Sequence, residues 1–218
     1  RKGISFLEGT EREVQTIDTL LRNKQIPVAL MSGMAGTEES FKQLSGQSIT
    51  LLHVATHGFY SPLTGHYTAQ RSFEEQALSR SGLFLSGAAA SLNMKKIPED
   101  IEDGILTAKE LSKLDLSNLN LAILSACQTG LGEIVGDGVF GLQRGFKKAG
   151  AQTLLMSLWK VDDTATQLLM AEFYKNLVSG QNKRAAFLNA QKYLRSYQNG
   201  IYDKPEYWAA FIMLDGIH

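Results

Sequence analysis

The amino-acid sequence predicts an α/β fold with a mainly parallel central sheet and helices on both faces. Three observations carry that prediction. Strand-like apolar runs alternate along the chain with segments of helical periodicity, the pattern of parallel strands joined by crossover helices. The run 119–125 is apolar almost throughout rather than alternating, as a strand covered on both faces must be, and 152–158 reads likewise. Side chains with chemistry, His57, Cys127 and Asp162, each stand just past the end of a predicted strand, where ligands bind in such sheets.

The elements follow in order. Gly9 and Thr10 open the first helical pattern, with Thr10 as N-cap and Glu13 as its capping-box partner. Val14, Ile17, Leu20 and Leu21 then recur at helical spacing and face a core. Pro27 ends that helix, and residues 28–31 read as a short buried strand. A second short helix opens at Thr37 and runs to about residue 44. Residues 49–55 are the next strand, ending at Thr56-His57-Gly58. Residues 61–80 are polar and read as a surface loop, followed by a strand over 82–85 and a second loop over 88–102. A short strand over 104–106 precedes a helix over 108–113. After the strand at 119–125 come a glycine-rich loop over 128–137 and a helix over 139–149, which Gly150 stops. The strand at 152–158, helices over 163–178 and 182–197 and a strand over 208–214 complete the chain. No repeat or boundary interrupts this order, so residues 1–218 are expected to form a single domain. The chain opens without an initiator methionine and is expected to be the C-terminal part of a longer protein with further domains upstream.

Composition narrows the function classes. With 44% hydrophobic residues, 218 residues can bury a sizeable core. Lys+Arg and Asp+Glu number 22 each, so no basic excess points to nucleic acid. No apolar run is long enough to span a bilayer and no signal peptide opens the chain. One cysteine excludes an internal disulfide, and the four histidines have no metal-ligand spacing to it; a cytoplasmic protein without metal or other cofactor is the expectation.

Cys127 is the candidate nucleophile. A catalytic thiol works as its thiolate and needs a base, and His57 is of the right type because imidazole titrates near neutrality. Small residues flank both: Gly58 follows the histidine, and Gly130 and Gly132 follow the cysteine. They leave backbone N–H groups open to an oxyanion, and the N–H groups of Gly58 and Cys127 are the candidates for that part. The same residues also admit a plainer account, a buried thiol and a turn histidine. His53, inside the preceding strand, reads as structural.

The stretches Leu52-His53-Val54-Ala55-Thr56-His57-Gly58 and Leu124-Ser125-Ala126-Cys127-Gln128-Thr129-Gly130-Leu131-Gly132 resemble the two catalytic motifs of CHAT domains. These are caspase-like peptidases often joined to tetratricopeptide repeats and similar to separases. Leu7-Glu8-Gly9-Thr10-Glu11-Arg12-Glu13, Asp103-Gly104-Ile105-Leu106-Thr107, Ser157-Leu158-Trp159-Lys160-Val161-Asp162-Asp163 and Tyr207-Trp208-Ala209-Ala210-Phe211 extend the resemblance over nearly the whole chain. It implies a three-layer caspase-like fold and a cysteine endopeptidase with Cys127 as nucleophile and His57 as base and then acid. The implied partners are a protein substrate and a regulatory repeat domain or activator protein, in bacterial defence or regulated proteolysis. By analogy with separases, Asp162 could meet a basic residue before the cut, with Asp137 as a second acidic candidate. Asp162 is equally suited to cap the helix that follows. The loops at 61–80 and 86–102 flank the strand ends and are expected to shape or block the groove.

Two rival readings remain. Gly136-Asp137-Gly138-Val139-Phe140-Gly141 spells the glycine fingerprint of dinucleotide sites, but it starts well beyond the end of its strand and puts Asp137 beside the would-be pyrophosphate. A catalytically silent interaction module is the stronger rival, and the presence of both His57 and Cys127 argues against it.

Overall fold

Leu121–Ser125 and Thr153–Ser157 are buried at every position and form the middle of a four-stranded sheet. The structure, a computed structural model, describes residues 8–61, 73–92, 102–125, 132–135 and 138–215. In chain order the first half holds α1 (Glu8–Asn23), α2 (Glu38–Lys42), β1 (Leu51–Ala55), β2 (His57–Tyr60), α3 (Phe73–Leu78), β3 (Ser81–Phe84), α4 (Ala88–Ser91), β4 (Ile105–Thr107) and α5 (Ala108–Leu111). The second half holds β5 (Leu121–Ser125), β6 (Gly132–Val135), β7 (Gly138–Gly141), α6 (Leu142–Ala149), β8 (Thr153–Ser157), α7 (Asp163–Val178), α8 (Lys183–Ser196), α9 (Pro205–Trp208) and β9 (Phe211–Asp215).

The central sheet runs β1-β5-β8-β9, with the first three strands parallel and β9 antiparallel to β8. The period of two in a strand sends alternate side chains to opposite faces. Ala122, Leu124, Leu154 and Met156 join a core with Leu83, Leu106, Leu111 and Phe146 from β3, β4, α5 and α6. Leu121, Ile123 and Leu155 join a second core with Ile17, Leu169, Phe173 and Phe187 from α1, α7 and α8. Helices therefore cover both faces, giving the expected three-layer α/β arrangement, and each fully buried leucine contributes roughly 1.5–3 kcal/mol to it. A separate antiparallel sheet, β2-β3-β4, stands beside the central one, and β6 pairs with β7 as a hairpin. Among the described residues, no helix is long and apolar enough to cross a membrane.

Local signals explain most boundaries. Thr37 accepts the Ser40 N–H and opens α2. Thr107 and Glu110 form a capping box on α5. Asp162 accepts the Ala165 N–H and Asn182 the Ala185 N–H, opening α7 and α8. Gly150 takes φ 98°, a left-handed conformation that ends α6.

Several expectations are corrected. Residues 28–31 form no strand; Leu30 and Met31 are 42% and 45% exposed, and an apolar run makes a strand only where a neighbour takes up its backbone hydrogen bonds. Residues 57–60, which the sequence left at the end of the preceding strand, form a strand of their own, β2, and the helix expected from 139 begins only at Leu142 because Gly138–Gly141 pairs with β6. That pairing also places part of the expected 128–137 loop in a hairpin. It removes the dinucleotide reading, since these glycines make a strand rather than a tight turn onto a helix. The expected loops at 61–80 and 88–102 hold α3 and α4, while 62–72 and 93–101 lie outside the described residues. Trp208 belongs to α9, and the last strand starts at Phe211.

Candidate active site

The carboxyl ends of β1, β5 and β8 meet at one edge of the central sheet. Parallel register there sets Ala55 opposite Ser125 and Leu124 opposite Met156. A cleft opens at this edge, lined by Thr56, Ser125 and Ser157 from the strand ends, by Gly9, Thr10 and Glu13 from α1, and by Trp159, Lys160 and Asp163 beyond β8.

Beyond Ala55 the chain makes one bend, at Thr56, whose hydroxyl donates to the Phe84 carbonyl. It then enters β2 with His57 opposite Phe84 and Gly58 opposite Leu83. Phe59 stacks on Phe84 at 4.8 Å between ring centres and lies over Gly82, where a Cβ would come within 2.7 Å of the Phe59 ring and 2.5 Å of the Leu106 carbonyl oxygen. His57 is half-buried. Cys127 and Asp137 lie outside the described residues.

A buried polar network supports this edge. The Glu13 side chain, 3% exposed, accepts the Ser125 hydroxyl at 2.8 Å through Oε2. Its Oε1 lies 2.9 Å from His53 Nε2, a close contact that does not meet the geometry of a hydrogen bond. His53 Nδ1 is 3.0 Å from the Tyr174 hydroxyl. Burial, with the Glu13 carboxylate adding to it, pushes the Tyr174 phenol above its ordinary pKa, so the phenol keeps its proton. His53 is thus structural, as expected, but Glu13 is no capping partner. The helix begins at Glu8, one turn earlier than expected, and turns Glu13 inward. The signal for this was in the sequence: Glu13 falls on the same helical stripe as Ile17, Leu20 and Leu21.

Asp162 is exposed, and its Oδ1 caps α7 at 2.9 Å from the Ala165 nitrogen. Asp163, the next residue, lines the cleft instead.

One other group of carboxylates, Glu38, Glu102 and Glu110, is close enough to share a cation. Lys42 supplies one itself: its ammonium lies 2.7 Å from Glu38, 2.7 Å from Glu102 and 3.4 Å from Glu110. The cluster is an internal ion network of the α2 side of the fold.

Comparison with known proteins agrees with the motifs. The family model of the CHAT domain matches residues 1–216. The chain is 34% identical over 110 residues to Tetratricopeptide repeat protein 28 of Mus musculus and 32% identical over 114 residues to the protein of the same name from Homo sapiens. These matches cover 50% and 52% of this chain and 4% of each relative, so the chain corresponds to a small part of those proteins. With the family model spanning almost every residue, and with a three-layer sheet consistent with a caspase-like fold, the chain belongs to the CHAT domain family.

Proposed function

We propose that this domain is a cysteine endopeptidase that cleaves a protein partner, with Cys127 as nucleophile and His57 as base and then acid. The observation that supports this best is the strand register. Ala55 and Ser125 are the last paired residues of adjacent parallel strands, and His57 and Cys127 each follow by two residues. Two reactive residues at matching sequence offsets past neighbouring strand ends favour a dyad at this end of the sheet.

The chemistry follows in two halves. His57 takes the thiol proton, and the Cys127 sulfur attacks the scissile carbonyl carbon, forming a C–S bond. The backbone N–H groups of Gly58 and Cys127 are assigned to the resulting oxyanion. Collapse breaks the C–N bond, and His57 returns the proton to the departing amine. Water then attacks the thioester, giving a proton to His57, and the acid product and the thiol are released. Asp162, through the carboxylate oxygen not engaged at α7, and Asp137 are assigned to a basic substrate side chain. The relatives are named for tetratricopeptide repeats, which favours a repeat segment or an activator protein as regulator; the single cysteine suits a reducing cytoplasm as the setting.

A peptide-library digest with the Cys127→Ala variant as control tests this reading. Cleavage by the wild-type chain and none by the variant is expected. Equal cleavage by both, or none by either together with free-thiol alkylation of Cys127, refutes it in favour of a silent interaction module.

A further inference from the structure

The network behind the strand ends does more than fill space. Four polar groups from four elements meet there: Glu13 of α1, His53 of β1, Ser125 of β5 and Tyr174 of α7. Glu13 and Tyr174 are 3% and 1% exposed and Ser125 8%, so each was taken almost completely out of water. Burying a carboxylate is costly, and a buried polar network replaced as a whole by well-packed apolar residues is commonly as stable or more so. Ser125 lies on the same face of β5 as Ile123, which belongs to the apolar cluster with Ile17, Leu169 and Phe173, so such a replacement would extend an existing core. Fold stability alone therefore gives little reason for a carboxylate here.

Position gives a better reason. Ser125 is the last residue of β5 and stands two residues before Cys127; His53 lies on β1, four residues before His57. One carboxylate thus bears on the two strands that lead to both members of the dyad, by a hydrogen bond from Ser125 to Oε2 and a close contact of Oε1 with His53. It reaches them from a helix outside the sheet, so the ends of β1 and β5 are fixed relative to a third body as well as to each other. A displacement of about 1 Å at reacting groups costs up to about a hundredfold in rate.

We propose that Glu13 is a positioning residue for the Cys127–His57 pair, acting through Ser125 on the exit of β5 and through His53 on β1. The proposal rests on the peptidase reading. Asp163 and Lys160 are the other charged residues among the described ones that line the same cleft.

The test uses the 218-residue chain and its single cysteine, so that iodoacetamide reports on Cys127 alone. Glu13→Gln keeps the shape but sets an amide against either Ser125 or His53. Ser125→Ala removes one hydrogen bond and little volume, and serves if Glu13→Gln fails to fold. Each variant is expected to keep a cooperative melt, to lose about tenfold or more in kcat with KM within about twofold, and to move the alkylation pH profile toward that of a free thiol. The double variant is expected to be no worse than Glu13→Gln, because both remove one interaction. Folded variants with wild-type kcat and a wild-type alkylation profile overturn the positioning role while leaving the peptidase reading intact. A wild-type chain that neither cleaves peptides nor alkylates faster than a free thiol overturns the peptidase reading, and the positioning role with it.

Discussion

Replacing Lys42 with methionine tests how the α2 side of the molecule is held. Methionine keeps much of the lysine stem and removes its charge. Glu38 is then left with a side chain 1% exposed and, among the described residues, with the Gly104 N–H, 3.0 Å from Oε2, as its hydrogen-bond partner. Removing one member of a buried ion pair costs about 3–5 kcal/mol. Because Glu38 keeps the Gly104 bond and can take up a proton, the expected loss is at the lower end, about 3 kcal/mol. For a chain of this size that is a fall of about 6–12 °C in Tm. The loss should also depend on pH. Burial holds the Glu38 carboxyl above its ordinary value, against the opposing bond from Lys42. A carboxyl raised in the folded state binds more protons there than in the unfolded chain, so its contribution falls as pH rises from the ordinary value through the raised one. Without Lys42 that rise is larger, and the variant's deficit should be greater at about pH 8 than at about pH 5. Calorimetry of Lys42→Met, Glu38→Gln and the double variant at both pH values measures this. The double variant should recover at least half of the loss. A deficit below about 1 kcal/mol that does not change with pH, as for a solvated surface pair, would refute the reasoning.

Three further outcomes are expected. Gly82→Ala should destabilise by about 1–3 kcal/mol in urea denaturation, because the new methyl group meets the Leu106 carbonyl and the Phe59 ring; Cys127 alkylation should slow with it, since β3 carries the strand that holds His57. Asp162→Ala should cost about 1 kcal/mol of thermal stability as a lost helix cap, and a digest with the same variant should lose its preference for basic residues if Asp162 also meets substrate. Glu110 is buried enough to be raised, but bonds from the Thr107 hydroxyl and N–H and from Lys42 hold its carboxyl below the ordinary value. Its contribution is present above about pH 4.5 and lost as pH falls further, so Glu110→Gln should flatten the acid limb of the stability profile.

The sequence makes the central layer legible because burial on both faces leaves a plain mark: β5 and β8 lie inside the runs at 119–125 and 152–158. The α7 and α8 helices were legible from their caps and periodicity, and the family motifs matched the family model. What could not be read was pairing. Residues 28–31 have the composition of a buried strand and are half exposed, whereas 57–60, with two polar or small residues, is a strand because β3 lies beside it. Gly138–Gly141 likewise gains its strand only from β6. Glu13 was misread for a different reason. Thr10 and Glu13 spell a capping box, but a box requires the chain to be non-helical at Thr10, and helix already runs from Glu8.

The single bend at Thr56 has a mechanical consequence. The strand leading to Cys127 is clamped between neighbours in the central sheet, while His57 rides on the smaller β2-β3-β4 sheet. The two sheets follow one another in the chain at Thr56, pinned by its hydroxyl to the Phe84 carbonyl, and are packed together by Leu83 and Leu106 in the core they share with Ala122 and Leu124. A force applied to the small sheet would therefore move the imidazole against the central sheet only by shearing that shared core. The strand that carries His57 and the strand that leads to Cys127 are thus parts of one packed body, and any partner that shifted one against the other would have to repack the leucines between them.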